Sequence, residues 1–194
     1  MDGNCGQASV GGLCEAGKSQ LVVVDIQTKL GAAMPAKVLN RVLQNTRLLL
    51  QTAHLLEVPV HAAEQYPKGL GPLEPRVREC LPAGVHRWEK TAFSCARAEG
   101  FLASLREAGR THIVVTGMEA HICVLQTVVD LVAHGFTVFI AEDAVCSRKL
   151  ENYQNALLRM QWSGASVVSA ESVVFEWLGD ARHDRFKAVA GLLP

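Results

Sequence analysis

The hydrophobic pattern of the chain alternates between short branched-aliphatic runs and longer segments in which apolar residues recur every three or four positions. The short runs predict buried strands, and the longer segments predict amphipathic helices. Six predicted strands cover residues 21–24, 58–63, 85–89, 112–116, 136–141 and 165–169. Predicted helices cover residues 36–57, 76–81, 94–108, 120–134, 149–162, 170–178 and 184–193. The alternation predicts an α/β fold with a six-stranded parallel sheet, helices on both faces and right-handed crossovers.

The first residues differ from the rest in having no hydrophobic period. Residues 1–19 are rich in glycine and small side chains, so we expect a flexible N-terminal extension. Its two cysteines, Cys5 and Cys14, are expected to be bystander thiols. Residues 20–194 contain no internal repeat and are predicted to form a single domain.

Composition excludes several classes of function. The 194 residues are 49% hydrophobic and carry a formal net charge of zero, so no basic excess favours nucleic acid or an anionic membrane surface. No apolar run approaches the roughly 20 residues of a membrane span, and the start has no pattern of a secretion signal. The six cysteines are widely spaced, with no CxxC pair. We therefore predict reduced thiols and a cytoplasmic location.

Three chemically distinctive side chains follow predicted strands. Asp25 ends the first strand, Lys90 follows the third, and Cys123 lies just after the fourth. Each has an ordinary explanation alone: a capping aspartate, a solvated lysine and a structural cysteine. Because the carboxyl ends of parallel strands meet at one edge of a sheet, we expect the three to lie together. Asp25 could then accept the thiol proton, Lys90 could favour the anionic forms, and Cys123 could attack a carbonyl carbon.

The setting of Cys123 also predicts reactivity. It falls in the first turn of a predicted helix, where free N–H groups and the helix dipole stabilise a thiolate. His121 is two positions away, which on a helix points its side chain elsewhere, so we expect at most a pocket role. The loop at residues 64–75 follows the second strand, and its Gln65 and Tyr66 could contact a substrate. The turn after Asp25 has no dinucleotide or P-loop motif.

Three motifs together resemble those of the isochorismatase-like cysteine hydrolases, the superfamily that includes nicotinamidases. They are LVVVDIQ at residues 21–27, WEKTAFSC at residues 88–95 and TGMEAHICV at residues 116–124. The resemblance covers about residues 20–180. The loop EQYPKGLGP and the tail LGDARHDRFK resemble the isochorismatase domain-containing proteins of uncharacterised activity in particular.

This resemblance implies a three-layer αβα Rossmann-like fold carrying an Asp25-Lys90-Cys123 triad. It also implies a cis peptide bond between Met118 and Glu119, an oxyanion hole made by the N–H groups of Glu119 and Cys123, and a homo-oligomer. Further candidates for the substrate pocket wall are Gln27, Tyr66, Trp88 and Phe93. The metal-binding Asp-x-His motif of nicotinamidases is replaced by HAAEQYP, so we expect neither a metal nor a cofactor.

Our hypothesis is a hydrolase that cleaves a small amide or related acyl compound, a non-peptide C–N bond, through a thioester on Cys123. One alternative is an isochorismatase-type vinyl ether hydrolase, which needs no nucleophilic thiol. Another is a catalytically idle family member that acts by binding a partner. Turnover by Cys123→Ala would favour the first alternative, and equal partner binding without an acyl-enzyme would favour the second.

Overall fold

One sheet of six parallel strands forms the centre of the computed structural model, which describes residues 12–193. The strands are β1 (Ser19–Val24), β2 (Val60–Gln65), β3 (Arg87–Lys90), β4 (His112–Met118), β5 (Thr137–Cys146) and β6 (Ser166–Val168). Their spatial order is β3-β2-β1-β4-β5-β6, and every neighbouring pair is parallel. The predicted six-stranded parallel α/β fold is confirmed.

Helices cover both faces of the sheet, so the central strands are buried on each side. The helices are α1 (Thr28–Ala32), α2 (Ala36–Leu55), α3 (Pro67–Leu70), α4 (Pro75–Arg78), α5 (Phe101–Glu107), α6 (Leu125–Ala133), α7 (Leu150–Trp162), α8 (Ala170–Leu178) and α9 (Phe186–Ala190). Leu21 and Val23 of β1 pack into one hydrophobic core with α2 and α8, whereas Val22 and Val24 pack into the other with α5, α6 and α7. No helix among residues 12–193 is long and apolar enough to cross a membrane.

The packed part of the chain begins before the predicted boundary at residue 20. Cys14 is completely buried, and its backbone N–H donates to the Glu176 carboxylate at 2.6 Å. Burial raises the pKa of the Cys14 thiol to about 11. Ser19 is already the first residue of β1. The segment from Cys14 to Ser19 therefore packs with the folded domain, whereas Cys5 and the other residues before residue 12 lie outside the described residues.

Two elements differ from the hydrophobic pattern. The predicted helix at residues 94–108 is divided into a 3₁₀ turn (Cys95–Arg97) and α5, because Gly100 adopts a left-handed φ of 79° just before α5. β5 continues to Cys146, well beyond the predicted end at residue 141, because Ala144 and Val145 are buried again after two polar residues.

The central strands β1 and β4 approach each other closely where they end. Val24 pairs with Gly117, whose φ is 139°. A Cβ at residue 117 would overlap the carbonyl oxygen of Val24. Only glycine fits here, and the contact brings the residue after β1, Asp25, beside the end of β4.

Candidate active site

The carboxylate of Asp25 and the ammonium of Lys90 form a buried ion pair at the carboxyl edge of the sheet. The distance from Lys90 Nζ to Asp25 Oδ2 is 2.7 Å. Asp25 follows β1 with a left-handed φ of 51°, and Lys90 is the last residue of β3. Burying either charge alone would cost several kcal/mol, so each stabilises the other.

All three donors of the Lys90 ammonium have partners. Besides Asp25, Nζ donates to Gln65 Oε1 at 2.6 Å and to the Phe93 carbonyl at 2.9 Å. The Gln65 amide is itself oriented, because its Nε2 donates to the Thr91 carbonyl at 2.7 Å. These contacts fix the position of the cation.

Cys123 lies beside this pair on a π-helical turn, Ala120–Val124, between β4 and α6. Its side chain is buried, and its Sγ lies 3.9 Å from Gln65 Oε1. Burial, followed by the negative charge of Asp25, raises the pKa of the Cys123 thiol well above its ordinary value. Burial and the neighbouring carboxylate therefore act against the acidification that a helix N-terminus would give, and the predicted acidity of the thiol stays a prediction.

One oxygen of Asp25 is available to accept a proton. Oδ1 is buried and has no hydrogen-bond partner among residues 12–193. Burial raises the pKa of Asp25, while the Lys90 ammonium and the neighbouring Cys123 thiol act in the opposite direction. A buried carboxylate with a raised pKa is a stronger base than an exposed one.

The residue before the π-helical turn is held through its side chain and its carbonyl. The peptide bond from Met118 to Glu119 is cis. The buried Glu119 carboxylate accepts from the backbone N–H of Arg148 at 2.9 Å and from Arg148 Nε at 3.1 Å. The Glu119 carbonyl accepts from the N–H groups of Ile122 at 3.0 Å and Val124 at 3.3 Å.

His121 is oriented by the segment that follows β5. Its Nδ1 lies 2.9 Å from Ser147 Oγ, and its Nε2 lies 3.3 Å from Asn152 Nδ2. Both ring nitrogens are therefore engaged by side chains other than Cys123. This arrangement agrees with the expectation that His121 does not act as the base for Cys123.

Two of the predicted pocket residues are exposed at the rim of the site. Tyr66 and Phe93 have 55% and 51% of their surface accessible to solvent. Tyr66 also lines a cleft of about 350 Å³. The other residues that line the cleft are Pro67, Lys68, Glu89, Lys90 and Thr91.

The other two predicted pocket residues make structural contacts. The Gln27 amide donates to the carbonyls of Gln65 at 3.1 Å and Gly71 at 2.6 Å, so it ties the loop after β2 to β1. Trp88 packs edge-on against Phe101, with ring centroids 5.6 Å apart. Among residues 12–193, no three His, Cys, Asp or Glu side chains are grouped so that they could hold a metal ion.

Two polar residues of the site had no assigned role in the motifs. Gln65, considered above only as a possible substrate contact, instead holds Lys90 and approaches Cys123. Its position just after a predicted strand, at the same edge of the sheet as Asp25 and Lys90, is the sequence feature that could have indicated this role. Arg148 lies 29 residues from its partner Glu119, and no pattern in a single sequence connects them.

Comparison with known sequences gives one family for most of the chain. The sequence profile of the isochorismatase domain matches residues 19–172. Isochorismatase domain-containing protein 2 of Bos taurus is 33% identical over 177 residues, which cover 91% of this chain and 83% of that protein. Isochorismatase domain-containing protein 1 of Salmo salar is 37% identical over 146 residues, covering 75% of this chain but only 50% of the salmon protein. The chain thus matches half the length of the salmon relative.

Solved structures with the same architecture include a protein described as MAR1 ribonuclease from Caenorhabditis elegans. It is 31% identical, covers 94% of this chain and 92% of its own, and superposes with a TM-score of 0.88. YcaC from Pseudomonas aeruginosa, solved with hexane-2,5-diol and covalent acrylamide, has a TM-score of 0.85 and 22% identity, covering 93% of this chain and 91% of its own. The second likeness supports the fold alone.

Proposed function

The chain belongs to the isochorismatase family of hydrolases, as its motifs predicted, and from this premise we propose that it hydrolyses a small amide or related acyl compound through a thioester on Cys123. The observation that carries the proposal is the buried pair of Asp25 and Lys90 beside the Cys123 thiol. A base, a fixed cation and a nucleophile in one desolvated site are the parts that acyl transfer needs.

In the first step, Asp25 accepts the proton from Cys123 as the sulfur attacks the substrate carbonyl carbon. The unpartnered Oδ1 of Asp25 is the acceptor, which suits a thiol whose pKa is too high to ionise by itself. The C=O electrons move to the oxygen, and a tetrahedral intermediate with a new S–C bond results. Lys90 keeps the carboxylate ionised and in place between turnovers.

In the second step, the intermediate collapses and the C–N bond breaks. Asp25 returns its proton to the leaving nitrogen, which leaves as an amine, and a thioester remains on Cys123. Water then loses a proton to Asp25 and attacks the thioester carbon. Cleavage of the S–C bond releases a carboxylic acid and returns a proton to the sulfur, so the resting site is restored.

The negative oxygen of each tetrahedral intermediate needs hydrogen-bond donors. By resemblance to the family, these are the N–H groups of Glu119, which directly precedes the π-helical turn, and of Cys123, which lies in it. Loss of one such donor typically lowers the rate about 100-fold to 1000-fold.

The burial of the nucleophile favours a small substrate, because only 5% of the surface of Cys123 is accessible. The 19 basic and 19 acidic residues leave no basic excess for a phosphate backbone, so the ribonuclease activity named for the nematode relative is not part of the proposal. A homo-oligomer and a cytoplasmic location stay predictions.

Trapping of an acyl-enzyme tests the proposal. The protein is mixed with a panel of small acyl anilides and primary amides, quenched in acid and analysed by intact-protein and peptide mass spectrometry. We expect an acyl mass on Cys123 in the wild type and in Cys80→Ala, a matched variant at a partly exposed thiol, but none in Cys123→Ala. Amide turnover that survives in Cys123→Ala would contradict the thioester.

A further inference from the structure

The ion pair of Glu119 and Arg148 joins a buried group to an exposed one. The Glu119 side chain is only 4% accessible, whereas that of Arg148 is 57% accessible. A carboxylate that is buried this far must have partners, and both of its oxygens accept from Arg148. The arginine therefore keeps this acidic side chain inside the protein.

This ion pair restricts the backbone of Glu119, the residue that directly precedes the π-helical turn carrying Cys123. The carbonyl of Glu119 is already held by the N–H groups of Ile122 and Val124. With the carboxylate held by Arg148, residue 119 is fixed at both its side chain and its carbonyl. Its backbone N–H then has little freedom to change direction.

A second pair of contacts joins the same two segments. His121, inside the turn, is held by Ser147 next to Arg148 and by Asn152 on α7. The segment at residues 147–152 thus contacts the turn that carries Cys123 at two separate side chains. Lys149 lies in the same segment, is exposed and forms no ion pair within the described range 12–193, so it offers a neighbouring cation for a control variant.

We infer that Arg148 is a positioning residue, which holds the Glu119 peptide so that its N–H can bind the oxyanion of the reaction. The inference rests on the proposed function, because that N–H is the proposed donor. Without the guanidinium, the Glu119 carboxylate keeps only the backbone N–H of residue 148 and loses the cation that balances its charge, so its side chain and the attached peptide are held less firmly. The nucleophile, its base and Lys90 are not touched by this change.

Iodoacetamide and acrylamide are electrophiles of similar size. Comparing their reaction rates distinguishes an effect of Arg148 on the oxyanion donor from a general effect on the reactivity of the Cys123 thiol. With iodoacetamide, an S–C bond forms at the methylene carbon and iodide leaves, so the carbonyl oxygen gains no charge. With acrylamide, the S–C bond forms at the terminal carbon, the C=C electrons move to the carbonyl oxygen as an enolate, and the α carbon then takes up the thiol proton. Only acrylamide addition is accelerated by an oxyanion donor.

The experiment measures the rates of both additions at Cys123 by peptide mass spectrometry, in the full-length protein. The variants are Arg148→Ala, Arg148→Lys and the matched control Lys149→Ala. We expect Arg148→Ala to lower the ratio of acrylamide to iodoacetamide rates roughly tenfold, a part of the loss seen when a donor is removed altogether. Arg148→Lys should recover part of the ratio, because its ammonium can still pair with Glu119, and Lys149→Ala should leave the ratio unchanged.

The possible failures are distinguishable. A ratio that stays at the wild-type value in Arg148→Ala, or an equal fall in both rates, would overturn the role of Arg148 and leave the proposed function intact. If Cys123 of the wild type reacts with neither compound faster than Cys80, the proposed function fails and this inference fails with it.

Discussion

The ammonium of Lys90 lies 2.7 Å from the carboxylate of Asp25, and the two side chains are only 1% and 0% accessible to solvent. The charges of this pair cancel in a region of low dielectric, where neither could remain ionised alone. The stability of the fold and the protonation state of the proposed base therefore depend on the same contact.

Replacement of Lys90 by methionine should destabilise the protein and do so most at neutral pH. Removal of one partner of a buried pair typically costs about 3 to 5 kcal/mol. The pKa of Asp25, already raised by burial, would rise further, so the folded variant binds a proton more readily than the unfolded chain. Such a group stabilises the fold at low pH and loses that effect as pH rises through the folded pKa. Urea unfolding at pH 5.0 and 7.5 should therefore show the larger deficit at pH 7.5.

A matched control for this variant is Arg182→Ala, which removes an exposed cation paired with Asp180. It should leave the free energy of unfolding unchanged at both pH values. A deficit of Lys90→Met that is the same at pH 5.0 and 7.5 would show that Asp25 does not take up the proton.

Replacement of Asp25 by asparagine should slow alkylation of Cys123 at acidic pH. The Asp25 charge raises the pKa of Cys123, but the same carboxylate accepts the thiol proton, and the two roles have opposite effects. We expect the base to dominate, with iodoacetamide reacting roughly 100-fold more slowly at pH 6 in Asp25→Asn. The difference in rate between the wild type and Asp25→Asn should become smaller as pH rises, because the thiolate then forms without a proton acceptor in the site. Faster alkylation in Asp25→Asn at pH 6 would mean that Asp25 only repels the thiolate.

His61, which is not part of the proposed active site, should make the stability of the fold sensitive to acid. It is buried against Phe101, its Nε2 lies 2.8 Å from Gln20 Oε1, and burial lowers its pKa from 6.5 to about 4. A depressed pKa gives stability that is present above the unfolded value and is lost as pH falls towards the folded value. Between pH 7.5 and 4.5, this group should cost the wild type about 2 to 3 kcal/mol that His61→Gln does not lose. Urea unfolding at the two pH values checks this, and the exposed-site variant His134→Gln should behave as the wild type.

Gly117→Ala should damage the fold much more than a similar change at another glycine. A Cβ at residue 117 would overlap the Val24 carbonyl, and neither backbone can move without separating β1 from β4. We expect a loss of about 3 kcal/mol or more in urea unfolding, with slower alkylation of Cys123. Gly135→Ala, where φ is 86° and no atom lies within 4 Å, should cost only about 1 kcal/mol. Equal losses in the two variants would contradict the steric account.

Several features of the molecule could be predicted from sequence because they follow from local periodicity. Branched-aliphatic runs located most of the strands, the third being a mixed segment, and the rule that parallel strands end at one edge predicted that Asp25, Lys90 and Cys123 lie together. The errors concern geometry that periodicity does not encode. The predicted helix begins at residue 120, whereas residues 120–124 form a π-helical turn and α6 begins at Leu125, a difference that so short a segment does not show in its apolar spacing.

Contacts between distant side chains were also inaccessible to pattern analysis. Gln65 holds Lys90 because Thr91 turns its amide, and this depends on how β2 and β3 pair. Arg148 reaches Glu119 only because β5 runs five residues past the predicted strand end, which delivers residue 148 to the same edge of the sheet. Such partners follow from the completed fold rather than from spacing in the chain.

The strand order divides the candidate site between two halves of the chain. The strands β1, β2 and β3 form one side of the sheet and contribute Asp25, Gln65 and Lys90, whereas β4 to β6 form the other and lead to Cys123 and Arg148. A fragment ending near Gly109 would hold the proposed base and its cation without a nucleophile, and the remaining fragment would hold the nucleophile without a base. The pairing of β1 with β4 brings the residues of the two halves together. During folding the Cys123 thiol therefore reaches Asp25 only when β1 and β4 have paired, so a partly folded or truncated chain has no complete active site.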